Sequence, residues 1–156
     1  MVLPPNSAAG RSRGSSCRNG PQPPLLPRDP RGRARVRGLA LIAAADGHPL
    51  ITPRIRTYLE KELKVEEARR NLWLAHWTLT ALEAIEGHLA KDEETGRYCH
   101  GEQLTIADIC LASQVIGALA YFNCDTSGVP TVMRVYNECM KEKAFADAHP
   151  LKHGQH

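Results

Sequence analysis

The chain has 156 residues, of which 42% are hydrophobic and few are aromatic, enough for one domain with a core and too apolar for a disordered chain. Its net charge of +3 is unevenly spread: residues 1–37 hold eight Arg and one acid, Asp29, so they carry +7 and the remainder carries −4. The basic segment has no aromatic residue to stack bases and the body behind it is acidic, so neither nucleic acid nor a membrane surface is an expected partner.

Residues 1 to about 30 hold seven Pro and three Gly and few large aliphatic side chains, and are expected to be a disordered Arg/Pro/Gly-rich arm. They lack the apolar core of a secretory signal. In "GRARVRGLALIAAAD" the apolar positions Val36, Leu39, Ala40, Ala43 and Ala44 have helical spacing, and Gly47 and Pro49 then interrupt or kink the helix. "PLITPRIRTYLEKEL" places Leu50, Ile51, Ile55, Tyr58, Leu59 and Leu63 in phase, with Pro53 near enough to the start for a first-turn position.

The longest predicted helix is "KVEEARRNLWLAHWTLTALEAIEGHLA", with its apolar face set by Leu72, Ala75, Leu79, Leu82, Ile85 and Leu89, and with Glu86 as a polar exception. Glu66 and Arg70 are spaced as an i,i+4 ion pair on the wet side. Trp73, His76 and Trp77 on this helix read as packing or interface residues. A charged loop, "KDEETGRYCHGEQ", follows with a turn at Thr95-Gly96.

The next segment, "LTIADICLASQV", opens on a Thr followed three residues later by an Asp. Thr105 is expected as the N-cap, its hydroxyl accepting from the Asp108 amide while the Asp108 carboxylate reaches back to the Thr105 amide. Leu104 and Ile109 are placed to staple that start. Residues 109–122 are apolar except for Ser113 and Gln114, too short for a membrane span, and predict a helix buried on all sides. The Thr105–Asp108 hook is then a structural cap at a buried helix start rather than a chemical group.

The final segment, "PTVMRVYNECMKEKAFADAHP", puts Val132, Val135, Tyr136 and Cys139 on one face, sets Phe145 and Ala148 in a short last turn, and ends at Pro150. No segment alternates like a strand, so the fold class is all-α, a helical bundle. The five Cys are widely spaced with no CxxC, which predicts no metal site, no disulfide framework and a reducing, cytoplasmic compartment.

The strings "PPLLPRDPRGRARVR", "HPLITPRI", "RYCHGEQLTIADICLASQV", "FNCD…VPTVMRV" and "AFADAHPL" stand in order over residues 23–151, and together they resemble the zeta class of glutathione transferases, the maleylacetoacetate isomerases. The resemblance covers that family's C-terminal helical domain. It implies residues 31–151 as the domain, 152–156 as a tail, and glutathione as the cofactor. It further implies a small dicarboxylate as substrate, maleylacetoacetate, isomerised to fumarylacetoacetate in tyrosine and phenylalanine breakdown, and a homodimer as the assembly.

The family's other, thioredoxin-like domain carries a Ser-Ser-Cys type motif between a strand and a helix. Here Ser15, Ser16 and Cys17 lie in an Arg/Gly/Pro tract, so their match is read as coincidence, and the chain is expected to lack that domain and to be inactive alone. The resemblance assigns one wall of the glutathione pocket to His48, Thr52, Pro53 and Arg54. Some members place an Arg after the buried helix to meet the substrate, where this chain reads "GALAYFNCD". The alternative reading is a non-catalytic helical dimerisation or scaffold module of the same superfamily.

Overall fold

The computed structural model describes residues 24–152. Its described residues form six α-helices with no strand: α1 Pro30–Leu41, α2 Pro53–Lys61, α3 Glu67–Leu89, α4 Ile106–Ile116, α5 Pro130–Cys139 and α6 Lys143–Asp147. α4 is the axis of the bundle, in contact with α1, α3 and α5. Around it Val36, Leu82, Ile85, Leu89, Leu111, Val115, Val132 and Val135 lose all or nearly all exposure and form one core.

Each helix start has a local cause. Asp29 caps α1 by accepting the Gly32 amide at 2.7 Å, and that bond holds its carboxyl below the ordinary aspartate range. Pro30, Pro53 and Pro130 stand in the first turns of α1, α2 and α5, where a missing amide hydrogen costs nothing. The segment 24–29, assigned to the arm in the sequence reading, lies against the helices: the Ile106 amide donates to the Leu25 carbonyl at 3.0 Å, and Leu26 packs on the core.

α5 lacks a capping side chain of its own. Glu86 of α3 supplies one from across the bundle, its two carboxylate oxygens accepting the Thr131 amide at 3.1 Å and the Val132 amide at 2.8 Å. The polar exception on the apolar face of α3 is therefore an inter-helix cap.

Arg35 of α1 ties down the long loop after α3. Its guanidinium donates to Asp92 at 2.5 Å, the Cys99 carbonyl at 2.5 Å and Thr95 at 2.8 Å. The hydrogen bond from Arg35 is the main cause that holds the Asp92 carboxyl below its usual value. Within this loop the Tyr98 amide donates to the Gly101 carbonyl, a turn that sets Gly101 at φ +64.

Several expectations are corrected. The buried stripe at the start of α3 is Leu74, Thr78 and Ala81, whereas Leu72 is 71% exposed. Arg70 donates to the Val65 carbonyl at 2.6 Å in place of pairing with Glu66, which sits at the N-cap with its carbonyl accepting the Arg70 amide. Ala44 is exposed, because the chain widens after Leu41 into a π-helical stretch, Ile42–Gly47, followed by a 3-10 turn, His48–Leu50. α4 is not buried all round: Ile109 is 45% exposed and Ser113 is exposed, so Ile109 faces outward while Leu104 packs inward on the core. Pro150 begins a further 3-10 turn, Pro150–Lys152, rather than ending the structure.

Candidate ligand site

The outward stripe of α4 has a purpose. Ile109, Ser113 and Ile116, at i, i+4 and i+7, form the floor of a cavity of about 530 Å³, a volume suited to one small ligand. Ala112, Gln114 and Gly117 of the same helix and its continuation also line it, together with Tyr121 and Phe122 and, from the C-terminal segment, Ala144, Phe145, Ala148 and Pro150. The rim is the irregular segment after α1, through His48, Ile51, Thr52 and Pro53.

The rim is held in place by a close approach. A Cβ on Gly47 would lie 2.5 Å from the Ala81 Cβ and 2.8 Å from the Gln114 side-chain nitrogen, so only Gly lets the chain turn between α3 and α4. Gln114, buried at 3% exposure, donates to the Ala43 carbonyl at 3.3 Å and ties α4 to the π-helical stretch. A second π-helical stretch, Gly117–Tyr121, ends α4 and brings Tyr121 and Phe122 to the cavity.

Three of the four residues assigned to glutathione by the sequence, His48, Thr52 and Pro53, line this cavity. His48 is exposed, and the half-buried Thr52 hydroxyl donates to the Pro49 carbonyl at 3.2 Å, which leaves its lone pairs open. Arg54 is exposed and does not line the cavity. The sequence reading missed Ile109, Ser113, Gln114, Tyr121 and Phe122 as site residues. Their signal was present, since Ser113 and Gln114 are the polar breaks in an apolar run, but nothing local says that they face a cavity closed by residues thirty positions later.

Thr105 and Asp108 stand at the start of α4 and are not among the residues lining the cavity. Asp108 is fully buried and accepts three hydrogen bonds: the Thr105 amide at 2.8 Å, the Thr105 hydroxyl at 2.7 Å and the Cys99 amide at 2.7 Å. The Thr105 hydroxyl accepts from the Asp108 amide, as the capping box predicts, and also donates to the carboxylate, and Asp108 holds the loop at Cys99 as well as the helix start. Burial, with the Asp108 charge second, pushes the Cys99 thiol well above its ordinary value, and burial pushes Cys139 up to about 12. These thiols are inert packing groups. Ser15, Ser16 and Cys17 lie outside the described residues. Among the described residues no group of three His, Cys, Asp or Glu is placed to hold a metal ion, and no helix is long and apolar enough to cross a membrane.

On α3, Trp73 and Trp77 meet edge to face with centroids 5.7 Å apart, and His76 meets Trp77 edge to face at 4.9 Å. Trp73 also donates to the Leu50 carbonyl at 2.9 Å, joining α3 to the segment that forms the rim.

No protein-family model matches the chain. It is 40% identical over 130 residues to a maleylpyruvate isomerase of Ralstonia sp, a match that covers 83% of this chain and 61% of that one. A crystal structure of maleylacetoacetate isomerase from Methylobacterium extorquens AM1, with bound malonate and glutathione, superposes with a TM-score of 0.80 at 41% identity, covering 83% of this chain and 60% of that one. A glutathione S-transferase of Legionella pneumophila superposes with a TM-score of 0.79 at 34% identity, covering 84% of this chain and 69% of that one. The chain belongs to the zeta-class glutathione transferases. Its bundle is the C-terminal helical domain of that class, and it spans about three fifths of the length of the first two relatives.

Proposed function

We propose that this chain forms the substrate-side wall of a glutathione-dependent maleylacetoacetate isomerase active in tyrosine and phenylalanine breakdown. The observation that carries the reading is the joining of His48, Thr52 and Pro53 to the cavity over α4, in a chain of the isomerase family. Bound glutathione would supply a thiolate that adds to the conjugated double bond of the substrate, permits rotation about the resulting single bond, and leaves again. The residues fit such a group along one wall. The His48 imidazole and the Thr52 hydroxyl offer polar partners at the rim, and Ile109 and Ile116 give the floor an apolar surface. Arg54, one residue beyond Pro53, is placed in sequence to meet a glutathione carboxylate at the edge of the site.

A thioredoxin-like domain of the zeta class, supplied in trans or by fusion, is expected to give glutathione-dependent isomerisation of maleylacetoacetate. A folded, associated pair with no such activity would refute the reading. The chain is further proposed to work in the cytoplasm as a homodimer. Exposed Tyr58, Leu63, Leu72 and Trp73 on α2, the turn after it and α3 give a second copy an apolar surface to cover. Sedimentation as a monomer at micromolar concentration would rule the dimer out.

A further inference from the structure

The rim from His48 to Thr52 carries the two polar groups offered to glutathione, and its regular structure is one 3-10 turn, His48–Leu50. Its own hydrogen bonds are short-range. The Ile51 amide donates to the His48 carbonyl at 3.1 Å, and the Thr52 hydroxyl donates to the Pro49 carbonyl at 3.2 Å. Bonds of this kind shape the turn without fixing where it sits on the bundle, and 3-10 hydrogen-bond geometry is poorer than that of an α-helix. Ile51 is buried, which anchors the segment but gives it no direction. A directional contact comes from α3. The Trp73 indole Nε1 donates to the Leu50 carbonyl at 2.9 Å, two residues from His48 on one side and two from Thr52 on the other. Trp77, one turn along α3, meets the Trp73 ring edge to face and restricts its plane. Trp73 stands outside the core cluster and is 36% exposed, so water is at hand for its N–H, yet the Leu50 carbonyl takes that bond.

We propose that Trp73 is a positioning residue for the glutathione rim, its indole N–H holding the Leu50 carbonyl so that the His48 imidazole and the Thr52 hydroxyl stand ready at the cavity. The proposal rests on the reading of His48 and Thr52 as glutathione partners and deepens it. Trp73 does not itself line the cavity, so it acts through the rim. Without the N–H the turn keeps its internal bonds but loses its tie to α3, and the two polar groups shift together. Ordering them again when glutathione binds then draws on binding free energy that the indole otherwise saves.

The test begins with the full chain and Trp73→Phe, which keeps an apolar ring and removes the N–H. Circular dichroism and melting temperature should stay near wild type. Amide hydrogen exchange at Ile51 should become about two- to tenfold faster, the ratio that one net hydrogen bond sets. In the pair reconstituted with a thioredoxin-like domain, the same variant should raise the apparent glutathione KM by a similar factor with kcat nearly constant. In a chain already carrying His48→Ala and Thr52→Val, Trp73→Phe should change KM no further, because the groups it positions are gone. Unchanged exchange at Ile51 would overturn the proposal, as would a KM effect of equal size in both backgrounds. Unfolding of Trp73→Phe would overturn it too, by making Trp73 a packing residue. The outcome is separable from that of the proposed function. A pair without isomerase activity defeats the isomerase reading alone, and Trp73 is then decided by the exchange at Ile51 and by calorimetric glutathione binding to the pair, wild type against Trp73→Phe. Isomerase activity indifferent to Trp73→Phe defeats this inference alone.

Discussion

At the scale of single residues, Asp108 has the most to lose. It is buried with three donors converging on it, so its removal orphans the Cys99 and Thr105 amides together. Thr105→Ala removes the capping hydroxyl and is expected to cost about 0.5–2 kcal/mol, the usual range for a lost cap. Asp108→Ala should cost more than Thr105→Ala, and Asp108→Asn should fall between wild type and Asp108→Ala, because the amide keeps one acceptor. Denaturant midpoints of the three variants decide the order, and a set that melts with wild type would mean that the hook bears no load. The buried thiols give a second expectation. Cys139 is neutral in the folded chain up to about pH 12, while in the unfolded chain it ionises near 9, so above pH 9 the unfolded state binds fewer protons and stability falls as pH rises toward 12. Tyr98 acts in the same direction, with burial as the main cause of its rise from 10.0 to about 12. Melting temperatures between pH 8 and 11 should decline steadily above 9, and the Cys99 and Cys139 thiols should stay unreactive to an aromatic disulfide in the folded chain at pH 8. The Thr-x-x-Asp spacing made the cap legible in the sequence. Both arms of the cap stand as that spacing predicts, whereas the further bond from the hydroxyl to the carboxylate and the third donor, Cys99, were not legible, the latter because it depends on a loop folded back from nine residues upstream.

At the scale of elements, the bundle is joined by side chains that serve a neighbouring helix. Glu86 belongs to α3 in sequence and to α5 in effect. Glu86→Ala leaves two amides of α5 without their partner and is expected to cost about 1–3 kcal/mol, and Glu86→Gln, which keeps one accepting oxygen, should cost less. A thermal melt of each variant measures this, and equal melting of all three proteins would show that water replaces the carboxylate at no cost. Gly47 joins elements by absence of a side chain. Gly47→Ala drives a methyl into the Ala81 Cβ and the Gln114 amide and is expected to destabilise by about 1–3 kcal/mol, the range for overpacking. Ala81→Gly in the same chain, by opening the contact, should recover part of the loss. Helical periodicity made α1, α4 and α5 readable, and Val132, Val135, Tyr136 and Cys139 are all buried as spaced. The first turns of α3 misled the same reasoning. Trp and Leu occur on both sides of that helix, and the stripe that reaches the core runs through Leu74 and a buried Thr78, while Leu72 lies on the exposed face. Hydrophobicity alone cannot separate a core face from an interface face when both are apolar.

At the scale of the whole molecule, the cavity joins segments about a hundred residues apart, from His48 to Pro150, and no local pattern encodes that meeting. The rim was readable by resemblance to a family, and the floor and far wall only from the packed bundle. The arrangement predicts how the chain behaves toward glutathione. The tripeptide carries two carboxylates, whereas among the described residues the lining contributes no Arg or Lys. Arg54 remains as an exposed charge beside the site, where solvent screens most of its attraction. The purified chain is therefore expected to bind glutathione weakly, with a dissociation constant of about 1 mM or above, corresponding to no more than about 4 kcal/mol. Micromolar binding by calorimetry would show a complete site and send attention back to Ser15, Ser16 and Cys17. In a pair reconstituted with a thioredoxin-like domain, His48→Ala should raise the apparent glutathione KM several-fold with kcat nearly constant. That split marks a group that holds the cofactor equally in the ground and transition states. Loss of kcat at unchanged KM would instead place His48 at the reacting carbons, closer to the floor at Ser113 than the rim position implies.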